Sequence, residues 1–170
     1  DTKGTTITFW HSMGGVNGEA MDYLVNKFNE ENTDGITVEA VYQGEYDDTI
    51  NKLKSAQIGN MGADLVQIYD IGTRFMIDSG WVIPMQELID ADGYDISQIE
   101  PNIAAYYTVN NELYSMPFNS STPILYYNKD MFEKAGITEV PTSLEGILAI
   151  GDDLKTKGGA GEPLALSIYG

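Results

Sequence analysis

Short polar side chains are concentrated between two prolines, Pro117 and Pro123, where Asn119, Ser120 and Ser121 follow one another. Proline cannot donate to a sheet ladder, so this segment is expected to run between structural elements. Amide and hydroxyl groups hydrogen-bond readily with polar small molecules. The segment therefore predicts a polar crossover that lines a cleft between two lobes.

Two further side chains could bind the same kind of molecule. Tyr46 follows the second predicted strand, and Asp70 follows the third. A carboxylate can accept hydrogen bonds from neighbouring hydroxyls of a polyol, and tyrosine combines an apolar face with a hydroxyl. Asp70 has a competing interpretation, because Asp is also a common N-cap and a helix could begin at Ile71.

His11, the only histidine, stands next to Ser12 after the first predicted strand. Adjacent residues of an extended segment point to opposite sides, so the two side chains cannot form a nucleophile and base pair. The glycines that follow, up to Gly18, predict either a flexible turn or an anion site built from backbone N–H groups. We interpret His11 as a loop residue at the mouth of a binding site.

Asp90, Asp92 and Asp95 surround Gly93 but do not have the spacing of a calcium-binding loop. A solvated acidic turn is the better interpretation of this segment. We predict no metal site, no cofactor and no catalytic residue.

The composition excludes several partners. Lys and Arg number 9 against 26 Asp and Glu, and the formal charge of -17 opposes binding to nucleic acid or to anionic membrane surfaces. The chain has no cysteine, so disulfides and thiolate chemistry are excluded. No apolar run reaches the roughly 20 residues that a membrane-spanning helix needs.

The predicted elements place these residues at one edge of a sheet. Strands are predicted over residues 6–10, 36–42 and 65–69, and each is followed by a helix. The inward faces of the first two helices are predicted to carry Met21, Leu24, Val25, Phe28, Ile50, Leu53 and Ala56. This alternation predicts an α/β fold with a mostly parallel sheet and a ligand at the carboxyl ends of the strands.

The second half of the chain is less regular. Residues 80–100 form an irregular acidic passage, and residues 96–107 are predicted to be helical. An apolar strand is expected directly after Pro123, up to Tyr127. A capping-box pattern at residues 142–145 predicts a helix to about Lys157, and residues 164–169 are predicted to form a last strand.

Several motifs together resemble the family 1 extracellular solute-binding proteins of bacteria, the capture subunits of ABC importers. They lie at residues 9–13, 28–32, 42–46, 67–73, 117–123 and 125–136. The Trp-His-Ser-Met start and the Phe-Asn-Ser-Ser-Thr-Pro crossover resemble the branch that binds glycerol-3-phosphate and glycerophosphodiesters. At Asp70 the chain departs from that branch, which has Glu there, and the shorter side chain has a different reach.

The resemblance implies a periplasmic-binding-protein-like (type II) α/β fold. Residues 1–116 would be most of lobe one, 117–123 the crossover and 124–170 the beginning of lobe two. Tyr46, Asp70 and Ser121 would contact the ligand, with His11, Ser12, Asn119 and Ser120 nearby. The phosphate-binding Arg of the branch belongs to parts that are not among these residues, so we expect the chain alone to bind ligand weakly or not at all.

The resemblance also implies a non-enzymatic, monomeric protein outside the cytoplasmic membrane, either periplasmic or lipid-anchored to the outer face of the cell membrane. Its expected partners are the ligand and the permease subunits of an ABC importer. A sugar or oligosaccharide binder is the alternative within the class, and phosphate dependence of binding separates the two. A carboxylate-dependent glycosidase is the more remote alternative, which turnover of an activated glycoside would reveal.

Overall fold

The computed structural model describes residues 4–59 and 61–166. The chain divides into two compact units, Asp1–Asn119 and Ser120–Gly170. None of the helices in the described part of the chain is long and apolar enough to cross a membrane.

The first unit is built on a parallel sheet. Its elements are β1 (Thr5–His11), α1 (Gly15–Glu31), β2 (Ile36–Tyr42), α2 (Tyr46–Ile58) and β3 (Leu65–Val66). The strand order is β2-β1-β3, and both pairings are parallel. The predicted strand and helix order and the parallel sheet are therefore confirmed.

The third strand is shorter than the five residues predicted. Only Leu65 and Val66 pair with β1, although the backbone N–H of Gln67 still donates to the carbonyl of Trp10 over 2.8 Å. Beyond Gln67 the chain leaves the ladder and forms a 3₁₀ turn, Asp70–Gly72. Helix α3 (Thr73–Ser79) follows at once.

The passage over residues 80–100 is not irregular as predicted. It contains α4 (Met85–Asp92), which begins after Pro84 and ends at Gly93 in the left-handed conformation. The helix predicted over residues 96–107 is interrupted: a 3₁₀ turn, Ile96–Gln98, precedes α5 (Pro101–Tyr106). The break comes before Pro101 because proline disfavours a helical conformation in the residue that precedes it.

A small hairpin closes the first unit. Its strands are β4 (Thr108–Val109) and β5 (Glu112–Leu113), which pair antiparallel. Asn110 and Asn111 connect them with positive φ angles of 52° and 66°, the conformation that a tight hairpin turn requires and that Asn tolerates. Leu113 is 2% exposed and anchors the hairpin in the unit.

The core beneath the sheet is centred on Phe9, Met13 and Met21. Val25, Val38, Ala40 and Tyr46 pack against this group. On α2, Ile50 and Leu53 are buried as predicted, and Ala56 is half-buried. The prediction for α1 was partly wrong: of its four predicted apolar residues, Met21 and Val25 pack in the core, whereas Leu24 and Phe28 remain 51% and 44% exposed.

The outer edge of the sheet is covered by two asparagines, Asn29 in α1 and Asn32 at the C-cap of that helix. Asn29 exchanges two hydrogen bonds with the backbone of Val38, and Asn32 exchanges two with Ile36. In a parallel ladder alternate residues direct both backbone groups to the same side, and Ile36 and Val38 direct theirs away from β1. The asparagine amides therefore satisfy the edge of β2 as a neighbouring strand would.

Between residues 120 and 166 the second unit contains three short helices, α6 (Lys129–Ala135), α7 (Leu144–Ala149) and α8 (Gly151–Thr156). Asn128 caps α6, because its side chain accepts a hydrogen bond from the Met131 N–H. Ser143 caps α7 in the same way.

Three predictions for the second unit need correction. The predicted helix up to Lys157 is broken at Ile150 into two helices. Residues 124–127 form no strand; their side chains are 41–86% exposed, and a strand needs a ladder partner that the described residues do not supply. Of the strand predicted over residues 164–169, residues 164–166 are not in a strand and 167–169 lie outside the described residues.

Candidate functional site

His11 ends β1 as a buried side chain, 3% exposed. Its ring lies between those of Phe9 and Tyr42, with centroid distances of 5.8 and 5.9 Å. Nδ1 accepts a hydrogen bond from the backbone N–H of Met13 over 3.2 Å, so the proton of the neutral imidazole is on Nε2. Burial lowers the pKa of His11, and the charge of Asp22 opposes that shift.

Ser12 is also buried, and its hydroxyl is engaged away from His11. Its Oγ lies 2.6 Å from Oγ1 of Thr49, a residue of α2 that is fully buried. Thr49 in turn donates to the carbonyl of Glu45 over 3.4 Å, so the Ser12 hydroxyl is the donor to Thr49. The arrangement agrees with the expectation that His11 and Ser12 do not form a nucleophile and base pair.

The turn after Ser12 is formed with help from glycine. Gly15 has a φ of 56°, in the left-handed region. Gly14 is the N-cap of α1 and supplies no side-chain cap. Of the two interpretations, the turn is the one that these backbone angles describe.

Tyr46 begins α2 directly after the carboxyl end of β2. Its ring stacks on that of Tyr69 with centroids 5.5 Å apart and an interplanar angle of 10°. The Tyr69 hydroxyl donates to Oδ1 of Asp47 over 2.6 Å. This hydrogen bond raises the pKa of Tyr69, with further contributions from burial and from the charges of Asp47 and Asp70.

Asp70 lies at the start of the 3₁₀ turn after β3, and its side chain is exposed. Oδ1 accepts from the N–H of Ile71 over 2.9 Å, and Oδ2 accepts from the hydroxyl of Tyr106 over 2.8 Å. The N-cap of the turn is Tyr69, so Asp70 is not the helix cap of the competing interpretation.

Asp70 contributes to the pKa shifts of two neighbouring tyrosines, through a hydrogen bond from Tyr106 and through its charge. The hydrogen bond raises the pKa of Tyr106, with the charge of Asp70 adding to the shift. The pKa of Tyr107 is raised by burial and then by the same charge. Both hydroxyls therefore stay protonated near neutral pH, and Tyr106 remains a donor to the carboxylate.

Asn119 is the last residue of the first unit, and Ser120 and Ser121 begin the second. Oδ1 of Asn119 accepts from Nε2 of Gln67 over 2.9 Å, and Nδ2 of Asn119 lies 3.8 Å from Sδ of Met13. Ser120 and Ser121 are exposed. The structure thus ties Asn119 to the loop that follows β1.

Of the seven residues named from the sequence, the first unit holds five: His11, Ser12, Tyr46, Asp70 and Asn119. They fall into two groups. His11, Ser12 and Asn119 are connected through Met13 and Gln67. Tyr46 and Asp70 are connected through Tyr69, which stacks on the first and precedes the second.

Sequence reasoning missed the residues that support these two groups: Asp47, Thr49, Gln67, Tyr69 and Tyr106. Asp47 carried a weak signal, since it falls in the first turn of α2 next to Tyr46. The others form hydrogen bonds with residues 22 to 55 positions away in the sequence. No local sequence pattern predicts such contacts.

The only arginine of the chain, Arg74, is paired with Asp78 through contacts of 2.9 and 2.6 Å. Its guanidinium is therefore engaged on the exposed face of α3. Within residues 4–59 and 61–166, no group of three or more His, Asp or Glu side chains is arranged to hold a metal ion.

The parallel α/β unit and its polar strand ends define a class of protein. Residues 14–169 match the family described as bacterial extracellular solute-binding protein. The chain belongs to this family.

Its relatives are more particular. The chain is 43% identical over 138 residues to the sn-glycerol-3-phosphate-binding periplasmic protein UgpB of Salmonella paratyphi A, and 41% identical to that of Escherichia coli K12. Each match covers 78% of this chain and 31% of the relative. The chain therefore spans about a third of the length of these curated relatives.

Solved structures agree with the fold. UgpB from Mycobacterium tuberculosis in complex with glycerophosphocholine matches with a TM-score of 0.75 and 28% identity, over 88% of this chain and 39% of that one. The galacto-N-biose/lacto-N-biose I-binding protein of Bifidobacterium longum matches with a TM-score of 0.72 and 24% identity, over 90% and 38%. The predicted periplasmic-binding-protein-like (type II) fold is confirmed.

Proposed function

We propose that the protein is the extracytoplasmic solute-binding component of an ABC importer that captures glycerol-3-phosphate or a glycerophosphodiester. Its partners are the ligand and the permease subunits of that importer. The relatives named as sn-glycerol-3-phosphate-binding proteins and the structural neighbour in complex with glycerophosphocholine support this assignment.

The observation that carries the proposal is a pair of carboxylates, each held by a tyrosine hydroxyl. Asp47 accepts a hydrogen bond from the Tyr69 hydroxyl, and Asp70, the next residue in the chain after Tyr69, accepts one from Tyr106. A carboxylate oxygen has room for more than one donor. Asp70 and Tyr46 are therefore suited to bind the hydroxyls at the glycerol end of the ligand.

The phosphate would be bound elsewhere in the full-length protein. Arg74 is occupied by Asp78, and the carboxylates of the first unit would repel an anion. In this proposal residues 1–116 belong to lobe one, 117–123 to the crossover and 124–170 to lobe two. Ser120 and Ser121 would join the ligand from the crossover.

We infer that the protein is not an enzyme. The Ser12 hydroxyl is bonded to Thr49 and His11 Nδ1 to Met13, which leaves neither side chain arranged for nucleophilic catalysis. Nucleic acid is an unsuitable partner because the chain has 26 acidic residues and only 9 basic ones, and its negative charge repels phosphate. We expect the protein to act as a monomer.

A sugar ligand is the second candidate. The stacked pair of Tyr46 and Tyr69 offers the flat apolar surface on which sugar rings pack, next to carboxylates that accept from sugar hydroxyls. The glycerophosphate assignment is preferred because the relatives with 41–43% identity carry that name.

A titration of the full-length protein with a panel of ligands tests the assignment. The panel contains glycerol-3-phosphate, glycerophosphocholine, glycerol and maltose, measured by isothermal calorimetry. Binding of the phosphorylated compounds and not of glycerol or maltose is expected. Binding of maltose alone would keep the family and replace the ligand, and turnover of a nitrophenyl glycoside would contradict the non-enzymatic assignment.

A further inference from the structure

Gln67 is a buried polar side chain in the middle of the first group of candidate ligand residues. It is 8% exposed and follows β3 directly. Its Oε1 accepts from the backbone N–H of Ser12 over 2.9 Å, and its Nε2 donates to Oδ1 of Asn119 over 2.9 Å. One amide thus joins the loop after β1 to the last residue of the unit.

The Ser12 N–H determines which atoms donate and which accept in this series of hydrogen bonds. A backbone N–H can only donate, so the carbonyl oxygen of the Gln67 amide must face Ser12 and its NH₂ must face Asn119. Asn119 must then turn its own oxygen toward Gln67. Its NH₂ is the group left to interact elsewhere, and within the described residues its single recorded partner is the weak acceptor Sδ of Met13, 3.8 Å away.

A backbone N–H also determines which ring nitrogen of His11 can donate. The backbone N–H of Met13 occupies its Nδ1, so Nε2 carries the proton and is a donor. The side chains of Gln67 and His11 are thus oriented by the backbone N–H groups of two consecutive residues, Ser12 and Met13. The group around the end of β1 therefore presents donors, whereas the group around Asp70 presents acceptors.

We propose that Gln67 is a positioning residue that fixes Asn119 as a hydrogen-bond donor toward an oxygen acceptor of the ligand. This rests on the proposed function for the identity of the ligand. Asn119 is exposed, so its NH₂ is accessible to a bound molecule. The first unit then selects a ligand with hydroxyl donors for one end of the site and an acceptor oxygen for the other.

Two substitutions of nearly unchanged size separate orientation from packing. In Gln67→Glu an oxygen replaces the NH₂, so at pH 8 the ionised carboxylate forces Asn119 to turn its NH₂ inward and its oxygen toward the ligand. In Gln67→Met both hydrogen bonds are lost, but Asn119 stays free to turn its donor outward. The proposal expects glycerol-3-phosphate affinity of the full-length protein to fall roughly 10- to 100-fold in Gln67→Glu and only a few-fold in Gln67→Met.

The Asn119→Ala background separates the orientation of Asn119 from the direct repulsion between the introduced charge and the anionic ligand. There the Gln67→Glu change should cause a much smaller loss of affinity, because the side chain whose orientation it changes is gone. An equal loss of affinity from Gln67→Glu with and without Asn119 would overturn the proposal. So would wild-type affinity of the Gln67→Glu protein, or equal losses in the Glu and Met variants.

A measurement without ligand keeps this test separate from the proposed function. In the ligand-free full-length protein, the side-chain amide signals of Asn119 are followed by nuclear magnetic resonance. In Gln67→Glu one Asn119 amide proton should shift downfield and become protected from exchange, since it now donates to a carboxylate. Unchanged Asn119 signals would contradict the proposed role of Gln67 in orienting Asn119. If the expected signal changes occur but the wild-type protein does not bind glycerol-3-phosphate, only the ligand assignment is contradicted.

Discussion

Replacement of Asn29 by alanine tests how the edge of the sheet is held. The Asn29 side chain donates to the carbonyl of Val38 over 2.9 Å and accepts from its N–H over 2.7 Å. Each such bond contributes roughly 0.5–1.5 kcal/mol net. Loss of both should lower the free energy of unfolding of the first unit by about 2 kcal/mol, which is a factor of roughly 30 in the unfolding equilibrium.

Native-state hydrogen exchange of the full-length protein measures this effect locally. The amides of β1 and β2 should exchange about 30-fold faster in Asn29→Ala, and the Val38 amide should lose its own protection as well. Asn26→Ala is the matched control, because Asn26 is an exposed residue of the same helix and its replacement changes helix propensity by the same amount. Asn29→Asp keeps the acceptor for the Val38 N–H and should fall between the two.

Equal exchange rates of the β1 amides in Asn29→Ala and Asn26→Ala would contradict this role of Asn29. A second consequence follows from the exposed edge. Unpaired N–H and C=O groups at β2 are a template for association between chains. We expect Asn29→Ala to aggregate at lower concentration than the control, as light scattering would show.

Three further predictions concern local features of the first unit. Gly44→Ala should destabilise it by about 1–3 kcal/mol in chemical denaturation, because φ is +101° and the new Cβ would lie 2.6 Å from an Asp48 oxygen; Gly93→Ala, with open space around it, should cost about 1 kcal/mol. The lowered pKa of His11 means that the unfolded chain binds a proton more readily, so stability should fall as pH drops below the ordinary value of 6.5, and a His11→Asn variant should lose this slope. The raised pKa of Tyr106 means that its bond to Asp70 is present at neutral pH and is lost only above the ordinary value of 10.0; absorbance titration of Tyr106→Phe should lack one of the tyrosines that ionise late.

The first half of the fold was predictable because its signals are local. β2 was predicted with its observed bounds, Ile36–Tyr42, from β-favouring residues between Gly35 and a polar turn. Helix α2 was predicted from Ile50 and Leu53, whose spacing places both on one face. Such periodicity is a property of neighbouring residues and needs no knowledge of tertiary structure.

Two errors had signals that were overlooked. Helix α4 was missed although Pro84 and Gly93 stand at its two ends, the positions where proline and glycine are favoured. The pair Asn110-Asn111 is a sequence signal for the hairpin turn, because both residues tolerate positive φ. In residues 80–100, the proline and glycine at the helix ends are therefore better indicators of structure than the acidic composition.

Other features could not be predicted from local patterns. The apolar run at residues 124–127 has strand composition, but a strand exists only with a ladder partner, and these residues remain exposed. In the candidate site, the bonds from Tyr106 to Asp70 and from Gln67 to Ser12 join residues 36 and 55 positions apart. Motifs therefore predict Tyr46, Asp70 and Asn119 as site residues, and the groups that hydrogen-bond or stack with them are visible only in the structure.

In the proposed function, the first unit binds the hydroxyls of a glycerophosphate ligand through Asp70. The most direct measurement is a calorimetric titration of the full-length protein with glycerol-3-phosphate, comparing wild type with Asp70→Asn. Asp78→Asn is the control, because Asp78 is an exposed aspartate nearby in sequence that pairs with Arg74. Loss of affinity by a factor of roughly 10 or more in Asp70→Asn, with little change in the control, is the predicted result. Equal affinity of wild type and Asp70→Asn would contradict this role of Asp70.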